Sequence, residues 1–198
     1  MVFISFLFLV SLSLYATEHT IFEGKCWKYN SVLESLDEQK FQIRYDDKEE
    51  VFYFLSADWL TTGWIYLSAG DFIKLRAIFS KYFEWEDIAN KNDVTLQREI
   101  PDSSMTQRVT WKYGSDWYSS NSLTMRFTFF SQSKSRHQLV LKTNKARSTT
   151  NQFIEYEIEG YYYDHAQVRA FYDAISEDSI AAAMEEIKKQ KDIESLFK

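Results

Sequence analysis

Leu123-Thr124-Met125-Arg126-Phe127-Thr128-Phe129 alternates apolar and polar side chains without a break. Successive side chains of a strand point to opposite faces, so this run has one face for a core and one for water. The pattern repeats on both sides. Val109, Trp111 and Tyr113 alternate with Arg108, Thr110 and Lys112; Leu139 and Leu141 with Gln138 and Lys142; Ile154, Tyr156 and Ile158 with Glu155, Glu157 and Glu159. The intervening Tyr113-Gly114-Ser115-Asp116, Ser131–Ser135 and Asn144–Asn151 stretches have the composition of hairpin connections. Strands joined this way predict an antiparallel meander from Val94 to Asp164, one face buried and one wet.

Upstream, Thr20–Tyr29, Phe41–Tyr45, Val51–Leu55 and Gly63–Leu67 read as further strands, and the polar Asn30–Gln39 stretch reads as a short helix. Ser68-Ala69-Gly70-Asp71 has the spacing of a capping box and opens the clearest helix. Phe72, Leu75, Ile78, Phe79, Tyr82, Phe83, Trp85 and Ala89 fall within one arc of about 160°. Ile73 and Ile88 stray onto its polar side, and Glu86 stands inside the apolar arc. Asp164 with Gln167 caps a second helix, and a third follows Ser176. The expected fold class is α+β: an antiparallel meander sheet with one long amphipathic helix packed on it and C-terminal helices over residues 165–198. The run Gly24-Lys25-Cys26-Trp27 is similar to the Gly-x-Trp start of lipocalins, one residue out of spacing. The long central helix departs from that fold, and no family is assigned.

The chain has 198 residues, a net charge of −6, one Pro and five Gly, with 45% hydrophobic side chains. That composition excludes disordered and collagen-like chains. The single cysteine excludes an internal disulfide, and the acidic balance argues against a nucleic-acid binder. Met1–Ala16 carries no charged side chain. Its apolar run of about 15 residues falls short of the roughly 20 of a bilayer span and matches a secretory signal peptide cleaved near Ala16. A retained anchor or a buried first strand are the alternatives. The expectation is an exported protein, periplasmic or secreted, with a single domain over residues 17–198 and no transmembrane span in the mature chain. Cys26, beside Trp27, reads as a small buried hydrophobe.

Catalytic signatures are missing. The three histidines lack metal-ligand spacing, so no metal site is expected, and no Gly-rich phosphate loop or Gly-x-Ser-x-Gly is present, so no cofactor is expected either. Three groups qualify as binding candidates: the carboxylates Glu155 and Glu157 on one strand face; Tyr161 and Tyr163 at a strand-to-helix corner running into Asp164-His165; and Trp111, Trp117 and Tyr118 around the Gly114 turn, with Trp59 and Trp64 at another. The resulting expectation is a non-enzymatic binding or interaction module whose partner is a protein or envelope component. A small-ligand carrier with a cavity between sheet and helix, and a hydrolase using Asp/Glu acid–base chemistry near Glu155–Glu159, are the alternatives.

Overall fold

The computed structural model describes residues 18–30, 34–57 and 61–196. Met1–Ala16, on which the export reading rests, and Trp59 lie outside the described residues. The chain runs β1 (Glu18–Asn30), β2 (Ser35–Asp46), β3 (Val51–Ala57), β4 (Thr61–Leu67), α1 (Ala69–Asn92), β5 (Leu96–Glu99), β6 (Met105–Tyr113), β7 (Asp116–Ser133) and β8 (Arg136–Thr143). It continues with β9 (Ala146–Arg147), β10 (Glu155–Tyr156), β11 (Tyr161–Tyr163), α2 (His165–Ala174) and α3 (Glu177–Ser195).

Eight of these strands close into a barrel in chain order, β1-β2-β3-β4-β6-β7-β8-β11, every neighbour antiparallel. The expectation of an open α+β meander with a long helix laid across it is therefore corrected. Two features produce closure. The 18-residue β7 gives its first half to β6 and its second half to β8, with Met125 opposite both Met105 and Thr143. Such a stagger is what a closed barrel requires. The short β11 then joins the ends, pairing Tyr162 with Trp27 of β1 and with Val140 of β8. Register shifts at Thr20/Phe22, Gln107/Val109 and Ser131/Ser133 supply the local bending. β5 lies outside the ring, paired with Thr128–Ser131 of β7.

The polar stretch after Asn30 is also corrected. From Ser35 it is strand, because Ser35–Gln39 continues the β1 ladder, Leu36 opposite Tyr29 and Gln39 opposite Cys26. Ladder hydrogen bonds override a weak helical preference.

Side chains fill the interior. Phe41, Ile43, Phe54, Ile65, Trp111 and Phe127 are all buried inside it. One mouth is sealed by helices: Phe171 of α2 stacks on Phe22 at 5.7 Å and meets Phe41 and Phe79 at 5.1 Å, while Phe79 of α1 reaches Phe127. α1 leaves from the end of β4; at the start of that strand the β9–β10 ribbon seals the other mouth. There Tyr156 packs on Trp111 at 5.7 Å, and its ring fills the space where a Cβ at Gly63 would stand. Both capping boxes are present, Ser68 with Asp71 and Asp164 with Gln167. Outward positions of β1 and β2 hold ion pairs, Lys25–Glu38, Lys40–Glu23 and Arg44–Glu18. An apolar inside with a charged outside is the reverse of a membrane-spanning barrel. Among the described residues no helix is long and apolar enough to cross a membrane.

Candidate functional site

β11 contributes only three residues, Tyr161–Tyr163, to the wall between β1 and β8. Where it stops, the chain turns into α2, and the strands on either side continue past it. This seam carries a cleft of about 610 Å³, walled by Trp27 of β1, Arg136 and Gln138 of β8, Asp164 and His165 at the start of α2, and Glu86 of α1.

Glu86 is the structural anomaly. Its residue is 8% exposed, yet it sits on the apolar face of α1. A buried carboxylate requires partners, and both oxygens have them. Tyr82, one turn earlier, donates its hydroxyl to Oε1 at 3.1 Å, and His165 donates Nδ1–H to Oε2 at 2.5 Å. Burial and the neighbouring Glu86 charge push the Tyr82 phenol well above its ordinary range, so it remains a donor. With Nδ1 committed to the carboxylate, the neutral ring carries its lone pair on Nε2. The His165 side chain is 56% exposed and its ring lies 5.3 Å from that of Phe83. The result is a buried carboxylate holding an accessible imidazole in one tautomer.

Two further groups on this wall are unengaged. Gln138 is 4% exposed, and its Oε1 accepts no hydrogen bond among the described residues. Trp27 is half-buried, and among the described residues its indole has neither ring partner nor hydrogen bond. His137, by contrast, is a structural residue. Its ring stacks on Phe129, Nδ1 bonds Ser131 Oγ at 3.0 Å, and Nε2 lies 3.1 Å from both Asn90 Oδ1 and Lys134 O, pinning the β7–β8 hairpin to the end of α1.

The sequence candidates fall elsewhere. Trp111 is fully buried between Tyr118 and Tyr156. Tyr163 is buried beside the Cys26 thiol, and buried Tyr161 shares a hydrogen bond with Ser56. Trp117 is 56% exposed and packs on Trp64 at 4.9 Å on the outer wall. Glu155 and Glu157 share a small polar cleft of about 240 Å³ with Tyr161, each carboxylate already facing a cation: Arg147 at 3.0 Å and Lys145 at 3.8 Å. None of these seven residues lines the seam cleft. Its sequence signals were the carboxylate inside the apolar arc of α1 and the Asp164-His165 pair closing the tyrosine corner. No group of three or more His, Cys, Asp or Glu is placed to hold a metal among the described residues.

Comparison with known proteins returned no family model, no curated protein and no solved structure that matches the chain. The fold and site define a class by themselves: a closed, helix-capped up-and-down barrel with a ligand-sized cleft at its seam.

Proposed function

We propose that this chain is a binding module that takes its ligand in the seam cleft, and that it works outside the cytoplasm after removal of Met1–Ala16. The observation that carries the binding reading is the buried Glu86, which holds the exposed His165 ring in a fixed orientation beside the unengaged Trp27 and Gln138. A preorganised polar constellation in a concave site is what recognition requires. The filled interior, with Phe79 and Phe171 occupying the space between helices and sheet, argues against a carrier cavity there. Fragment screening by NMR tests the reading: hits are expected to shift the Trp27 indole, the Gln138 amide and the His165 ring together. Hits scattered over the outer wall would contradict it. Export is tested by intact mass in separated cell fractions, where a species beginning at Thr17 outside the cytoplasm is expected and a full-length cytosolic species would refute it.

One observation favours a second reading. The Glu86–His165 pair has the carboxylate–imidazole geometry of a general base. A hydrolase of that kind would act on ester or glycosidic model substrates and lose activity in His165→Ala. Equal rates in the variant would remove His165 from any such role.

A further inference from the structure

We infer that the ligand of the seam cleft is a neutral, hydroxyl-rich molecule of the saccharide class; this rests on the cleft being the binding site. The hydrogen-bond capacity of the cleft wall separates the ligand classes. A cation needs carboxylate oxygens with capacity to spare. Both Glu86 oxygens already accept protein donors and one oxygen of Asp164 is taken by the Gln167 backbone N–H at 2.9 Å, which leaves one uncommitted carboxylate oxygen among the described lining residues, fewer than the several oxygens a hard cation gathers. An anion would meet those same two carboxylates at close quarters, with Arg136 the one permanently charged cation among the described lining residues to offset them. An apolar ligand would bury His165, Gln138 and Arg136 without partners.

What the wall offers instead is a mixture. Gln138 Oε1 is a neutral acceptor, Arg136 and the Trp27 N–H are donors, the exposed Nε2 edge of His165 can form one further hydrogen bond, and the indole supplies a flat apolar face. A sugar ring presents hydroxyls that both donate and accept around its edge and C–H groups on its face, and so satisfies every one of these groups. Gln138 is the most informative of them. The residue is 96% buried with its carbonyl oxygen unpaired, which is destabilising, and of the three buried polar side-chain atoms without a partner among the described residues, Trp111 Nε1, Tyr163 OH and Gln138 Oε1, it is the one whose residue lines the cleft. Its last torsion is soft, and turning the amide presents that oxygen to a ligand hydroxyl.

The test uses the whole protein with ¹⁵N-labelled tryptophan, the Trp27 indole signal being assigned by its loss in Trp27→Phe. Cellotetraose, maltotetraose, chitotetraose, inorganic phosphate and spermidine are titrated in turn. At least one tetrasaccharide is expected to move the Trp27 signal saturably, with phosphate and spermidine leaving it in place. Gln138→Leu is expected to weaken that binding tenfold or more while keeping or raising the melting temperature, the signature of a residue held for a ligand rather than for the fold. Arg136→Ala, on an exposed side chain, is expected to weaken it several-fold with the fold intact. Saturable shifts with phosphate or spermidine and none with a saccharide would overturn the ligand class while leaving the cleft a binding site. No shift with any probe would overturn both. Undiminished saccharide binding in Gln138→Leu and Arg136→Ala would overturn the hydrogen-bond argument.

Discussion

Replacing Phe171 by Ala probes how the barrel is sealed. The residue is 3% exposed and its ring lies within ring-contact distance of side chains from four other elements: Phe22 on β1, Phe41 on β2, Phe54 on β3 and Phe79 on α1. Truncation removes its transfer free energy and leaves a hole bounded by aromatic rings that cannot collapse together, for a loss of about 4 kcal/mol within the range of roughly 3–5 for a buried Phe. For a chain of this size that lowers Tm by roughly 8–16 °C, and moves the urea midpoint by about 2 M for an m-value near 2 kcal/mol per M. The assay is urea unfolding followed by tryptophan fluorescence, with Phe153→Ala as the control. Phe153 is 84% exposed, and its loss is expected to change stability by less than about 0.5 kcal/mol. A dry aromatic cavity also binds benzene, so saturating benzene is expected to recover part of the lost stability in Phe171→Ala and to leave the parent protein unchanged. A loss below about 1 kcal/mol would refute the placement of α2 as the plug of the barrel mouth.

Three other substitutions or titrations follow from the same structure. Gly63→Ala places a Cβ against the Tyr156 ring and is expected to destabilise by about 1–3 kcal/mol; in a Tyr156→Ala background the same change costs less than about 0.5 kcal/mol, and equal costs would detach the β9–β10 ribbon from the barrel end. Burial pushes the Cys26 thiol up to about 12, above its unfolded value of about 8.5. Its stabilising contribution is therefore whole below about pH 8.5 and lost as pH rises toward the folded value. Native protein at pH 8 is expected to react with a disulfide reagent at least about a hundredfold more slowly than protein in urea, and equal rates would contradict its burial. The hydrogen bond from Lys191, reinforced by His19, holds the Asp47 carboxyl below its ordinary range. That contribution is present above about pH 4 and lost as pH falls through the lowered value. Asp47→Asn is expected to speed amide exchange in the second half of α3 at neutral pH, with the difference from the parent shrinking as pH falls through the lowered value.

Period-two alternation made most of the wall legible: the strands around Val109, Phe127 and Leu139 stand where the pattern puts them, and Ser68 and Asp164 cap their helices as their spacing predicts. Alternation says which face a side chain takes and nothing about which strand lies beside it, so an open sheet and a closed one read alike. Closure depends on Tyr161–Tyr163, three residues too few to show a period, pairing across more than 130 positions with Trp27 and Lys28. The cleft was hidden for a related reason. Trp27, Glu86, Gln138 and His165 come from four separate elements that meet only because β11 closes the ring. Only Glu86 broke a local rule, a carboxylate within an apolar arc, and such a break marks a site where another requirement overrides packing. Aromatic turns drew attention to Trp111, whose indole belongs to the core.

The closed seam is the central claim, because both the barrel and its cleft depend on it. Cross-strand NOEs measured on labelled protein test it directly. The account predicts contacts from the Tyr162 backbone to Trp27 on one side and to Val140 on the other, with slow amide exchange through Tyr161–Tyr163. If those contacts are absent and the three tyrosine amides exchange at the rate of an open loop, the sheet is open between β1 and β8, and the seam cleft does not exist.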